Sequence, residues 1–376
     1  MRIHLRHKKN QDGIAIFIVL VSVLVLASMA GIFAYNMRVE MKLAMNSNNE
    51  TEMEWTGRAG VEYCKWVLAQ EMSPGGCAQR FDALNQRWAG GPGCGNNTNN
   101  LGNAGNNTSD PLEDIQTTVT LGNGQFTWKI TDAERKLNIN TMANNQAVMT
   151  EALTLVGADA SEIPTIIDSI QDWIDADSET HPNGAETQDY QAFDPPYWAK
   201  NGPIDDLTEL LLVKGIRDNP EIFWGPSSTN HQLSIFQPHP ANFNSGQPGS
   251  AMVAMGMVDI FTTVSSGRVN INTCSANTLR ALGMDESSAQ HLISMRAGPD
   301  GVDGTEDDVP FNNPGEIINA GLPPQIVQMF QSYLTVRSST FEATVDVTVG
   351  QSTRRYHAVL LRNSPRDIQV LSFNWE

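Results

Sequence analysis

The residues best able to do chemistry here are acids. One cluster, Asp172, Asp175, Asp177, Glu179, Glu186 and Asp189, follows an apolar stretch with helical spacing. Asp172 and Asp175 are three apart and share a helix face, while Asp177 leaves the helix end. Negative charge at a helix C-terminus opposes the helix dipole, so this many acids there points to a cation. Hard oxygen donors at irregular spacing suit Ca2+, which takes about six to eight of them in flexible geometry. Asp175, Glu186 and Asp189 are the candidate ligands. A second cluster runs Asp300-Gly301-Val302-Asp303-Gly304-Thr305-Glu306-Asp307-Asp308. Its glycines permit tight turns that aim carboxylates inward. Asp300, Asp303, Asp307 and Asp308 are candidate calcium ligands, although the EF-hand pattern is not met. The competing reading of both clusters is a solvated acidic loop.

Paired carboxylates can also act as acid and base. Only His181 accompanies them in sequence, and no GxSxG, HExxH or P-loop occurs, so the chain is read as non-enzymatic. Four cysteines are too few for a disulfide scaffold and form no CxxC, which leaves zinc and redox motifs without support. In an oxidising compartment Cys77 could pair with Cys94 or with Cys64, or all could stay reduced, and spacing does not choose. Cys274, beside an Asn-Ile-Asn-Thr motif, reads as a packing residue. With 24 basic against 42 acidic residues and a net charge of −18, the surface repels phosphate backbones, so nucleic acid is not an expected partner.

At 376 residues the chain has room for two or three domains. Residues 1–13 carry Arg2, Arg6, Lys8 and Lys9, and residues 14–35 carry no charge. That run gives about 33 Å of helix, enough to cross a bilayer. The basic flank stays cytoplasmic and the rest lies outside. An ordinary secretory signal peptide is the alternative, but Met37 to Gln70 continues with helical character instead of breaking. After a Gly/Asn-rich loop over 73–110, Ile115–Leu121 and Gln125–Thr131 read as a hairpin around Gly122-Asn123-Gly124. Phe341–Val349, Arg354–Arg362 and Ile368–Asn374 read as three further strands. The region between repeats itself. Leu137-Asn138-Ile139-Asn140-Thr141 returns as Val269-Asn270-Ile271-Asn272-Thr273, and each copy is followed by a helix, a Gly, an acid-led second helix and an acidic loop.

These residues carry two resemblances. The basic leader, Gly13 and an unbroken apolar helix resemble the class III signal of type IV pilins and type II secretion pseudopilins. That likeness implies cleavage by a prepilin peptidase between Gly13 and Ile14, and it makes Ile18 the fifth mature residue, where most such subunits carry Glu. The helix–Gly–helix units resemble helix-hairpin-helix modules, but their acidic flanks speak against phosphate. The runs LNINT, DWIDAD, GAETQDY, DPPYWAKNGP and ELLLVKGI are similar to the type II secretion system protein K family, the K-type minor pseudopilins. The resemblance implies an α+β fold: a pilin-like long N-terminal helix packed on an antiparallel sheet, with a large, mostly helical insertion holding two helix-hairpin-helix/SAM-like repeats. The expected divisions are a leader (1–13), a transmembrane part (14–35), a first pilin-like part (36–136), an insertion (137–335, with repeats 137–216 and 269–335) and C-terminal strands (336–376). It further implies calcium in the insertion and an inner-membrane anchor with the bulk in the periplasm. The expected role is at the pseudopilus tip, with I-type and J-type minor pseudopilins as partners and the secretin or a secreted substrate as further contacts. The competing function is an anchored extracytoplasmic binding module, an adhesin or DNA receptor.

Overall fold

The computed structural model describes residues 12–73, 80–93, 112–225, 255–322 and 324–375. One helix, α1 (Asp12–Glu71), dominates its N-terminal part. At 1.5 Å per residue its 60 residues span about 90 Å. Residues 14–48 are exposed without exception. The same segment is long and apolar enough to cross a membrane. From Met53 onward the helix buries one side: Val61, Cys64, Val67 and Leu68 follow the spacing of a helix face and pack on a sheet.

That sheet is five-stranded and antiparallel, in the order β1 (Thr118–Leu121), β2 (Gly124–Asp132), β7 (Thr340–Val349), β8 (Ser352–Ser364), β9 (Asp367–Trp375). The expected hairpins and C-terminal strands form, with one shortened start. Residues 115–117 precede β1 because the Ile115 amide is turned back onto the Leu112 carbonyl. The β1–β2 and β7–β8 hairpins close on two-residue turns opened by a glycine of positive φ, Gly122 and Gly350, and the β8–β9 hairpin turns on Pro365-Arg366. Alternation along β2 and β7 aims Phe126, Trp128, Ile130, Ala343, Val345 and Val347 at α1. Helix and sheet approach closely at Gly60, where an added Cβ would collide with Val345.

Between β2 and β7 the chain builds a second lobe with its own core. Its elements are short strand pairs and helices. Strand β3 (Leu137–Asn138) pairs in parallel with β4 (Phe261–Thr262), and β5 (Val269–Asn270) with β6 (Leu334–Thr335). Among its helices are α2 (Gln146–Leu155), α3 (Ile163–Ile174), α4 (Thr187–Tyr190), α5 (Ala276–Ala281), α6 (Glu286–Arg296) and α7 (Pro324–Gln331).

A buried polar network joins the lobes. Asp82 accepts from the Arg362 guanidinium (2.6 Å) and the Ser338 amide (2.8 Å), and its partner Arg362 is equally buried. Asp132, at the end of β2, accepts from Glu134 N, Asn270 Nδ2, Thr273 Oγ1 and Ser338 Oγ. Burial first, then the neighbouring Glu134 charge, pushes the Asp132 carboxyl up to about 7 against the hydroxyl hydrogen bonds that lower it. Glu134 holds the Ser339 amide and hydroxyl. The second Asn-x-Asn motif thus fastens the inserted lobe to the sheet.

Candidate functional site: an acidic cluster at the end of α3

Helix α3 has a strongly amphipathic sequence, and Ile163, Ile166, Ile167, Ile170 and Trp173 fill the lobe core. The same turn buries Asp172 completely. Asp175 caps the helix in extended conformation, and the chain then returns so that His181, Gly184 and Glu186 face the helix end. Asp172 Oδ1 accepts the His181 amide (3.0 Å) and faces His181 Nδ1. Gly184 lies so close to Asp172 Oδ2 that no side chain would fit there. Glu186 is the N-cap of α4 and accepts from Thr187 N through Oε2 (3.2 Å). Asn201, with φ 48°, donates its amide to the Asp177 carbonyl.

What remains is a set of buried oxygens without partners: Asp172 Oδ2, Asp175 Oδ1, Glu186 Oε1 and Asn201 Oδ1. Asp175, Asp177 and Glu186 bring carboxylate oxygens within 4.8 Å of one another, and Asp172, Asp175 and His181 form a second such group sharing Asp175. Burial, followed by the charges of Asp177 and Asp172, raises the Asp175 carboxyl. Burial also raises Glu186, with Asp172, Asp175 and Asp177 adding to it against the Thr187 amide. The hydrogen bond to Asp172 raises His181. Unpartnered buried acceptors are costly, and the carboxylates of Asp175, Asp177 and Glu186 lie close together in like charge. The donor set, carboxylates plus an amide oxygen, fits a hard cation of the calcium type.

The structure gathers the other predicted residues differently. Asp189 accepts the Glu186 amide (3.0 Å) and completes a capping box, so it orients Glu186 and stays outside both groups. In the second acidic loop Asp303 is paired with Arg296 at 2.9 and 2.7 Å. Asp300 accepts from Val302 N, Asp307 from Asp300 N and Thr305 Oγ1, and Asp308 from Gly304 N and Thr305 N. Gly13 and Ile14 lie in the first turn of α1, and Ile18 is an exposed residue one turn on. Cys77 and Cys94 lie outside the described residues. Cys64 and Cys274 are free and buried, and burial pushes their thiols up to about 12 and about 11. Asp172, Asp177 and Asn201 are contributors that local spacing did not single out as ligands.

A long helix with an exposed apolar half, an antiparallel sheet laid on its other half, and an inserted helical lobe with an acidic cluster make up the architecture. Residues 134–220, which hold the cluster, match the family model "Type II secretion system (T2SS), protein K". The chain is 28% identical over 108 residues to type II secretion system protein K of Klebsiella pneumoniae, covering 26% of this chain and 33% of that one. It is 23% identical over 221 residues to a putative type II secretion system protein K of Escherichia coli K12, covering 56% and 59%. The chain thus spans a third to three-fifths of the length of these curated relatives. Its fold is that of a chain in the crystal structure of the GspK-GspI-GspJ complex from the enterotoxigenic Escherichia coli type 2 secretion system. The TM-score is 0.60 at 16% identity, over 89% of this chain and 99% of that one. The likeness to protein K read from LNINT to ELLLVKGI stands.

Proposed function

We propose that the chain is a minor pseudopilin of type II secretion, anchored in the inner membrane by residues 14–35, with its two lobes in the periplasm. It acts in assembly and not in catalysis: it starts the pseudopilus from the tip and so supports export across the outer membrane. The observation that carries this reading is the protein K match over residues 134–220 on a chain whose first helix projects a bare apolar half. Its partners are I-type and J-type minor pseudopilins, the classes named with GspK in the complex of like fold. The helix–Gly–helix units act as helix-hairpin-helix/SAM-like modules facing protein. In the cluster at the end of α3, Asp172, Asp175, Asp177, Glu186 and Asn201 would hold Ca2+, whose charge would relieve the repulsion of these acids. Held together, they would tie the end of α3 to the loop that leads into α4. Co-purification from membranes with the I-type and J-type subunits of the same system tests the role. Recovery of the chain without either of them, under conditions that keep the other two together, would remove it.

A further inference from the structure

The two Asn-x-Asn segments build the same frame. Asn140 clasps the backbone of Ile204 through both its amide groups, at 2.9 and 2.8 Å, and Asn272 clasps Phe311 at 2.9 and 2.8 Å. Asn138 caps Asn140 N as Asn270 caps Asn272 N. Each segment then runs helix, glycine of positive φ (Gly157, Gly283) and second helix. An acidic loop leads back to the clasped residue in both. Within this shared frame the loops are neutralised in different ways. The first leaves four buried oxygens without partners. The second leaves none among its acids, and the reason lies in α6. Helix α3 ends on the apolar Trp173 and Ile174, whereas the last residue of α6 is Arg296, 4% exposed. Its guanidinium spans Asp303 with Nε and Nη2 and donates Nη1 to the Ile271 carbonyl at 2.7 Å, beside the clasp residue Asn272.

We infer that Arg296 is the built-in cation of the second acidic loop, and that residues 300–308 are organised by this guanidinium in the place a metal ion takes at the first cluster. The forked guanidinium meets a carboxylate with two bonds and stays charged when buried. Backbone amides of Asp300, Val302, Gly304 and Thr305 then turn the remaining acids into turn-forming acceptors. The contrast with the first cluster rests on the calcium reading given above, but the role of Arg296 does not.

Amide hydrogen exchange on the full chain in lipid nanodiscs, with calcium chloride or with EGTA, separates the two. EGTA is expected to speed exchange over 172–201 and to leave 296–309 unchanged. If 172–201 does not respond, the calcium reading fails and Arg296 is judged on its variants. If 296–309 quickens with EGTA, the inference is overturned. In Arg296→Gln, exchange over 300–308 should rise at least about tenfold, and added calcium should slow it again. Arg296→Lys, which keeps the charge, should stay within about threefold of the parent. Equal effects of Gln and Lys, or a Gln variant that calcium does not slow, would show that Arg296 only packs. Should Arg296→Gln lose protection in β7 and β8 as well, Asp303→Asn decides: it removes the partner and leaves the Ile271 contact, and an unchanged loop sinks the proposal.

Discussion

Asp175 and Glu186 each hold a buried oxygen that nothing on the protein satisfies, and both carboxyls are raised first by burial and then by the charges of neighbouring aspartates. A folded-state pKa above the unfolded value favours the protonated form. The associated stability is present at low pH and is lost as pH rises through the raised value. The cation-free protein should therefore lose melting temperature as pH climbs out of the carboxylate range, whereas calcium should reverse the trend. Calcium at a hundredfold excess over Kd should add about 2.7 kcal/mol. Asp175→Asn with Glu186→Gln should abolish that gain and flatten the EGTA profile, as scanning calorimetry would show. A parent protein with one melting curve in calcium and EGTA would refute the cation site. Asp132 offers a second titration. Its carboxyl stands near 7 in the fold against 3.8 unperturbed, so the junction is most stable in acid and weakens as pH passes from 3.8 to about 7. Asp132→Asn should remove that slope between the lobes; an equal slope in both proteins would mean another group titrates. Asp175 and Glu186 were legible because acids after an amphipathic helix are conspicuous. Asn201 was not: it is neutral, lies far along the chain, and joins the site only through a positive φ and a bond to the Asp177 carbonyl. Glu186 and Asp189 carry capping-box spacing, a signal that could have assigned Asp189 to α4.

At the level of elements, alternation and turn residues carried the sheet. The β1–β2 and β7–β8 hairpins each have a glycine of positive φ at the turn, and inward residues recur every second position along β2 and β7. The two-residue pairs β3–β4 and β5–β6 had no such pattern, since two residues cannot alternate, and their partners lie far off in sequence. Nor did local spacing reveal the junction, because Asp82, Asp132, Asn270, Ser338 and Arg362 come from five separate segments. The seating of α1 on the sheet depends on Gly60, whose missing side chain lets Val345 approach. Gly60→Val should force helix and sheet apart and cost about 1–3 kcal/mol by overpacking. Urea unfolding would register this as a lower midpoint at unchanged slope. Gly31, on the membrane part of the same helix, has open space around it, so Gly31→Val should leave the midpoint where it was; equal losses at both sites would refute the close approach at Gly60 as the cause.

For the molecule as a whole, the proposed role predicts a mature chain that begins at Ile14. Intact-mass measurement of membrane-extracted protein checks this, and a start beyond Ala30 would instead mean signal-peptide removal. Cleavage there leaves a free amine at Ile14 and an apolar residue at Ile18, both on the bare part of α1. A chain of this kind can offer its amine to a neighbour's carboxylate but offers none in return. That suits a subunit with neighbours on one side only. The inserted lobe argues in the same direction. It is fixed to the sheet by the buried Asp82–Arg362 pair and the Asp132 network, so it cannot swing aside to let copies stack closely along a shaft. One terminal copy escapes that constraint. Ile18→Glu should fold, because α1 is exposed there, but it places an unpaired carboxylate in the bilayer at a cost of up to about 3 kcal/mol. The expected outcome is fewer pseudopili of normal length, counted by electron microscopy of a strain that overproduces the major subunit. Cross-linking through a cysteine at Leu43, on the exposed part of α1, should capture this chain once per filament. Captures at regular intervals along the shaft would refute the tip position, and unchanged numbers of pseudopili with Glu at position 18 would refute the argument from the missing carboxylate.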